Sequence, residues 1–316
     1  MVNILPRPHQ EEILEYTRGT MGISAVPGSG KTWTLSALAA QLITEGYLDE
    51  GQEVLIVTLT NSAVDNFSSR INVFLQAGDY FPLIPPYRIR TLHGLAHDIV
   101  RERPDLVGLD SNFSIIDERE ADKILSDIAK AWLRAKPSTL IPYLSPDIDQ
   151  NRLNWLQRDH LPDLLKSITY AFNRTAKDLQ LSPRDVWTRL EQLPLSLPLA
   201  EMGADMYTEY ERALAYRGVV DFDDLIRNAL QALNTDPNLL ERLQYRWPYI
   251  LEDEAQDSNR LQEEILRILA GEAKNWVRVG DPNQAIFESF TTANPRYLRD
   301  FMKKCESPRE LPNSGR

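Results

Sequence analysis

The run Ala25-Val26-Pro27-Gly28-Ser29-Gly30-Lys31-Thr32 constrains the chain more than any other stretch. A short apolar segment at 22–26 leads into it. Residues 34–42 follow, with Leu35, Leu38, Ala39 and Leu42 on one face of a predicted helix. Strand, glycine turn and helix in that order suit one purpose well. Backbone N–H groups of such a turn curl round a phosphate where no Cβ intrudes, and the helix N-terminus adds its positive end. Gly28 and Gly30 meet the backbone demand, Lys31 would reach the β- and γ-phosphates, and the Thr32 hydroxyl would ligate Mg²⁺. The general pattern G-x-x-x-x-G-K-[ST] has glycine where Ala25 stands, so the loop alone indicates nucleotide binding and no specific reaction.

The flanking pattern extends this unit. Residues 53–58 predict a buried strand and about 62–74 a helix, which makes a βαβ unit with a parallel sheet. A proline-rich link at 81–86 precedes a short strand at 88–90 and a helix over 92–101. From 117 to 216 strand-like runs disappear. Amphipathic helical patterns such as 121–133 and 163–172 are broken by Pro137, Pro142, Pro146, Pro162, Pro183, Pro194 and Pro198, which predicts a helical insertion. Strands return at 247–251 and 276–280, each running into acidic residues and then a helix. The expected fold class is α/β, a parallel sheet interrupted by a helical subdomain and then resumed.

Composition narrows the function. The chain has 316 residues, which suggests about two domains. A net charge of −11 and a pI near 5.0 argue against coating nucleic acid through a broad basic face and leave room for a narrow groove. Cys305 is the single cysteine and is expected in a helix; with only four histidines, neither an internal disulfide nor a structural zinc site is expected. No apolar run is long enough for a membrane helix, and residues 1–7 lack a signal-peptide core, so the expectation is a soluble cytoplasmic protein without a membrane partner.

A nucleotide hydrolase also needs a metal-holding carboxylate at another strand end and a group to activate water. Ile250-Leu251-Glu252-Asp253-Glu254 supplies both: Asp253 would hold Mg²⁺, and Glu254 would polarise the attacking water if its strand neighbours the first. A third strand end, Val279-Gly280-Asp281-Pro282-Asn283-Gln284, places the Gln284 amide to sense the γ-phosphate.

In order, these residues resemble the superfamily 1 DNA helicases of the UvrD/Rep/PcrA type, from about residue 4 to the end. The stretch Leu5-Pro6-Arg7-Pro8-His9-Gln10 is similar to the adenine-reading Q motif, with Gln10 as the base contact, and residues 25–32 are similar to motif I, where this family commonly carries alanine first. Thr58-Leu59-Thr60-Asn61-Ser62-Ala63 resembles motif Ia and Thr91-Leu92-His93-Gly94 motif Ib, which line the single-strand channel; the resemblance assigns DNA contacts to Thr60, Asn61 and His93. Asp221-Phe222-Asp223-Asp224-Leu225 resembles the segment that re-enters the core after the helical subdomain. Residues 253–259 resemble motif II and 280–287 motif III, with Phe287 on the DNA path.

The resemblance implies a RecA-like P-loop NTPase sheet formed by 1–116 and 217–316 (domain 1A), with 117–216 inserted as helical subdomain 1B. It implies ATP and Mg²⁺ as cofactors and single-stranded or partly duplex DNA as partner, with 3′-to-5′ polarity. Departures accompany it. The family usually has phenylalanine where Leu59 and Leu92 stand, which reshapes the base path, because aromatic faces stack bases at about 1–3 kcal/mol each. Phe287 and Phe290 either compensate or pack beneath the nucleotide. Leu311-Pro312-Asn313-Ser314-Gly315-Arg316 resembles the start of motif IV, whose arginine, here Arg316, touches the γ-phosphate; a second RecA-like domain is expected to be missing from this chain. An arginine finger contributes about 10³–10⁵ in comparable phosphoryl transfer, so poor hydrolysis by these residues alone is expected. The competing readings are a non-motor ATP-binding regulatory module and a small-molecule P-loop kinase; the kinase leaves Glu254-Ala255-Gln256-Asp257 unexplained.

Overall fold

The structure, a computed structural model, describes residues 5–144, 148–284 and 294–313. Its strands are β1 Thr20–Ala25, β2 Val54–Thr58, β3 Tyr87–Thr91, β4 Ser114–Ile115, β5 Val219–Val220, β6 Tyr249–Glu252, β7 Trp276–Gly280 and β8 Ser307–Leu311. Six of them form one all-parallel sheet in the order β3-β2-β6-β7-β1-β8, and β4 pairs with β5 in a second, two-stranded parallel sheet. The chain divides into two compact units, Met1–Leu106 with Asn228–Arg316, and Val107–Arg227.

The first unit carries the six-stranded sheet. Every residue of β2, β6 and β7 is buried, as expected for central parallel strands covered on both faces. Helix Lys31–Thr44 lays Leu35, Leu38 and Leu42 into a core that includes Ile23, Ile56, Leu251 and Val279. The helix begins at Lys31, not at the predicted 34, because Gly30, at φ 96°, turns the chain directly into its first turn. The strand expected at 247–251 runs over Tyr249–Glu252, since Trp247 caps helix Pro237–Arg246 and Pro248 has no N–H to donate. Cys305, expected within a helix, instead ends the one at Arg296–Lys304. β8 was not foreseen from sequence. It is an edge strand, Ser-Pro-Arg-Glu-Leu, alternating half-buried and exposed before ending on the buried Leu311, and a proline is tolerated at such an edge.

Among its described residues, the second unit has helices and, as strands, only β4 and β5. Helices Glu118–Ala135, Leu161–Asp178 and Pro198–Arg217 enclose Leu133, Leu165, Met202 and Met206. The prolines do not break these helices as the sequence suggested. Pro162, Pro183 and Pro198 sit in first turns, where the missing N–H costs no intrahelical bond and the fixed φ suits the start. Asp221 and Asp224 of the Asp-Phe-Asp-Asp-Leu segment accept from Lys177 Nζ at 2.6 and 2.8 Å, and Lys177 is only 1% exposed. Glu211 lies 3.1 Å from the same ammonium, and Arg227 closes the cluster onto Asp224 at 2.8 Å. Burial pulls the Lys177 pKa down, but the three carboxylates outweigh it and hold the group charged well above its ordinary value.

Candidate active site

The phosphate loop sits at the carboxyl end of β1. Ala25 is the last residue of that strand, 1% exposed and paired in register with Leu311 of β8. Its extended backbone accepts a Cβ, which is why glycine is not required at this first place. Gly28 and Gly30 lie at φ 76° and 96°, where side chains are disfavoured. Between them Ser29 is buried, and its hydroxyl has no protein partner. Val26 and Pro27 are exposed at the rim. Gln10, from helix Pro8–Leu14, is buried beside the loop: its Oε1 accepts from Arg7 N at 3.0 Å and its Nε2 donates to Thr34 Oγ1 at 3.0 Å. Both ends of that amide are engaged within the protein.

The acidic strand end meets this loop even though β6 and β1 are not neighbours; β7 lies between them. Lys31 Nζ donates to Glu254 Oε2 at 2.5 Å. The contact is made possible by Glu254's left-handed backbone, φ 52° and ψ 41°, which swings the chain out of the strand into the turn Ala255–Asp257. A non-glycine residue held there stores strain of about 1–3 kcal/mol, a feature that clusters at working sites. Asp253 is anchored by its N–H to Val57 O at 2.9 Å, and its Oδ1 is buried without a partner. Burial first, then the neighbouring Glu254 charge, pushes its pKa up to about 7.

These features fit a magnesium nucleotide. Magnesium takes one or two carboxylate or hydroxyl ligands and completes its shell with phosphate oxygens and water, so an orphaned Asp253 oxygen and the half-buried Thr32 make a sufficient protein share. Among the described residues no cluster of three or more His, Cys, Asp or Glu could hold a metal ion on its own. Gln284 is half-buried and stands in a turn closed by Gln284 N donating to Asp281 O at 3.1 Å. Phe287, Phe290 and Arg316 lie outside the described residues.

At the other side of the same sheet edge, Thr60 and Thr91 cap two helices, Asn61–Ala77 and Leu92–Glu102, each accepting an N–H on its hydroxyl. β2 and β3 are paired so that Thr58 faces Thr91, which sets the two helix starts side by side. Thr60 and Asn61 are exposed and His93 is half-buried. Leu59 is 53% exposed, whereas Leu92 is 8% exposed and belongs to the packing.

Sequence reasoning missed the polar network beneath the carboxylates. Arg278 of β7 is fully buried, with Nε 2.7 Å from Glu252 and its guanidinium against the Trp276 and Phe301 rings. Glu252 also accepts from Ser258 Oγ at 2.7 Å and from Trp276 Nε1 at 3.2 Å. Gln256 joins Glu254 to the backbone of Asp281. The legible signal was a charged residue within each of two apolar strands, Glu252 at the end of β6 and Arg278 in the middle of β7, which calls for a buried pair.

Comparison with known proteins identifies the family. The model of the UvrD/REP helicase N-terminal domain family matches residues 7–306. The ATP-dependent DNA helicases PcrA of Staphylococcus aureus strains Mu50 and NCTC 8325 are each 28% identical to the chain over 281 residues, covering 88% of this chain and 33% of theirs. The protein of the same name from Staphylococcus epidermidis strain ATCC 12228 shows the same identity and coverage. The chain thus spans about a third of the length of the curated relatives it matches.

Proposed function

The chain belongs to the UvrD/REP helicase N-terminal domain family, and from that premise we propose that it forms the ATP-binding and hydrolysing part of an ATP-dependent DNA helicase. The observation that carries this is the meeting of Lys31 and Glu254 at 2.5 Å beside the unpartnered Asp253 oxygen, at the carboxyl ends of parallel strands.

In the proposed mechanism the loop amides of 28–32 hold the β-phosphate, and Lys31 leaves Glu254 for the β- and γ-phosphates. Thr32 and Asp253 hold Mg²⁺, which when bound neutralises charge on the phosphate oxygens. Glu254, released from the ammonium, orients the attacking water and takes its proton. Gln284 contacts the γ-phosphate, and the Gln10 amide is the candidate for base recognition. Thr60, Asn61 and His93 contact the phosphates of single-stranded DNA, where hydroxyls and helix starts suit backbone oxygens. Residues 117–216 correspond to the inserted subdomain 1B in this proposal. Phe287 on the DNA path, Arg316 on the γ-phosphate and 3′-to-5′ polarity rest on the resemblance alone. Translocation is a property of the whole protein, because it needs a second RecA-like domain that closes and opens against this one.

The test is the ATPase rate with and without single-stranded DNA, for these 316 residues and for a longer version of the protein. Stimulation by DNA in the longer version, lost in Lys31→Ala, is the expected result. No stimulation in either sinks the motor assignment.

A further inference from the structure

Gln256 is 4% exposed and follows the strained Glu254 by two residues. Its Nε2 donates to Glu254 Oε2 at 2.9 Å and to Asp257 Oδ2 at 3.1 Å, while its Oε1 accepts from Asp281 N at 3.1 Å. The side chain therefore spans from the carboxylate after β6 to the first backbone amide after β7. That amide opens a turn with two further internal bonds, Asn283 N to Asp281 Oδ1 at 3.0 Å and Gln284 N to Asp281 O at 3.1 Å. Close approach is built in: a Cβ on Gly280 would lie 2.4 Å from Gln256 Oε1 and 3.1 Å from Gln256 N. Glu254 Oε2 thus has two donors, Lys31 and Gln256. One of them is needed elsewhere when phosphate binds.

We propose that Gln256 is a positioning residue: it keeps the Glu254 carboxylate aimed at the attacking water after Lys31 has moved to the nucleotide, and locks it in register with the Gln284 turn. This rests on the proposed ATPase function. A primary amide is the side chain that does both jobs, since one end must donate to a carboxylate and the other accept from an N–H. The electron and proton movements of hydrolysis stay with Glu254 and water; Gln256 acts through geometry alone.

Two substitutions separate its two ends. Gln256→Glu keeps an acceptor for Asp281 N and loses the donor to Glu254; Gln256→Met loses both. Steady-state ATP hydrolysis is expected to show kcat reduced about 10–100-fold in both variants, with KM for ATP within about threefold of the parent. Hydrogen exchange of the Asp281 amide in the nucleotide-free protein is expected to quicken at least about tenfold in Gln256→Met and to stay near the parent rate in Gln256→Glu. An unchanged kcat in Gln256→Glu overturns the proposal. So does a rise in KM with kcat retained, or equal Asp281 exchange in Gln256→Met and the parent. Glu254→Gln is the control: if the parent hydrolyses ATP no faster than Glu254→Gln, the ATPase assignment fails, and the Asp281 exchange alone then decides whether the bridge exists.

Discussion

At the residue scale, the proposed nucleotide site holds opposite charges against each other, with Lys31 on Glu254 and the Asp253 oxygen left without a partner. Lys31 is paired with Glu254, and in the proposed mechanism phosphate binding breaks that pair. Glu254→Gln removes the competing charge and is expected to tighten ATP binding by about 1 kcal/mol, roughly fivefold, while abolishing hydrolysis; titration with ATP and a phosphate-release assay check both. Asp253 makes the complementary prediction. Its folded pKa of about 7 lies above the unfolded value of 3.8, so the folded state favours the protonated acid. The ionised form costs stability that is absent below about pH 4, grows through pH 4–7 and is constant above. Asp253→Asn is therefore expected to be more stable than the parent at pH 8, with the difference vanishing near pH 4, in urea melts without Mg²⁺. The residue types at 25–32 and 253–254 were plain in the sequence because phosphate and metal chemistry admits few side chains. Gln256 was legible only as a member of the motif II pattern; its contact was not, because that depends on an amide in another strand's turn.

At the element scale, parallel strands bring distant segments to one edge, and small residues let them approach. Gly280→Ala would drive a Cβ to 2.4 Å from Gln256 Oε1 and 2.8 Å from Leu298 Cδ2. A loss of about 1–3 kcal/mol, read by chemical denaturation, is expected from such overpacking. Strand and helix identities were legible where periodicity was strong, as in β2 and in helix Lys31–Thr44. β8 escaped because an edge strand buries little and alternates polar side chains, and the prolines of the helical unit misled because a helix start and a helix break use the same residue.

At the scale of the whole molecule, the unit Val107–Arg227 is pinned by charge as well as by apolar packing. Lys177→Met leaves Asp221, Asp224 and Glu211 without their buried ammonium, and is expected to destabilise by about 3–5 kcal/mol in urea denaturation. No helix among the described residues is long and apolar enough to cross a membrane. By itself the sequence determined the α/β class, the phosphate loop and the acidic strand ends, because each is a local pattern of backbone permission, hydrophobic period or metal chemistry. Tertiary structure alone decided that β7 separates β1 from β6, that Lys31 nonetheless rests on Glu254, and that Gln256 ties Glu254 to Asp281. Those facts follow from strand order and from one left-handed residue, and neither leaves a periodic signature along the chain.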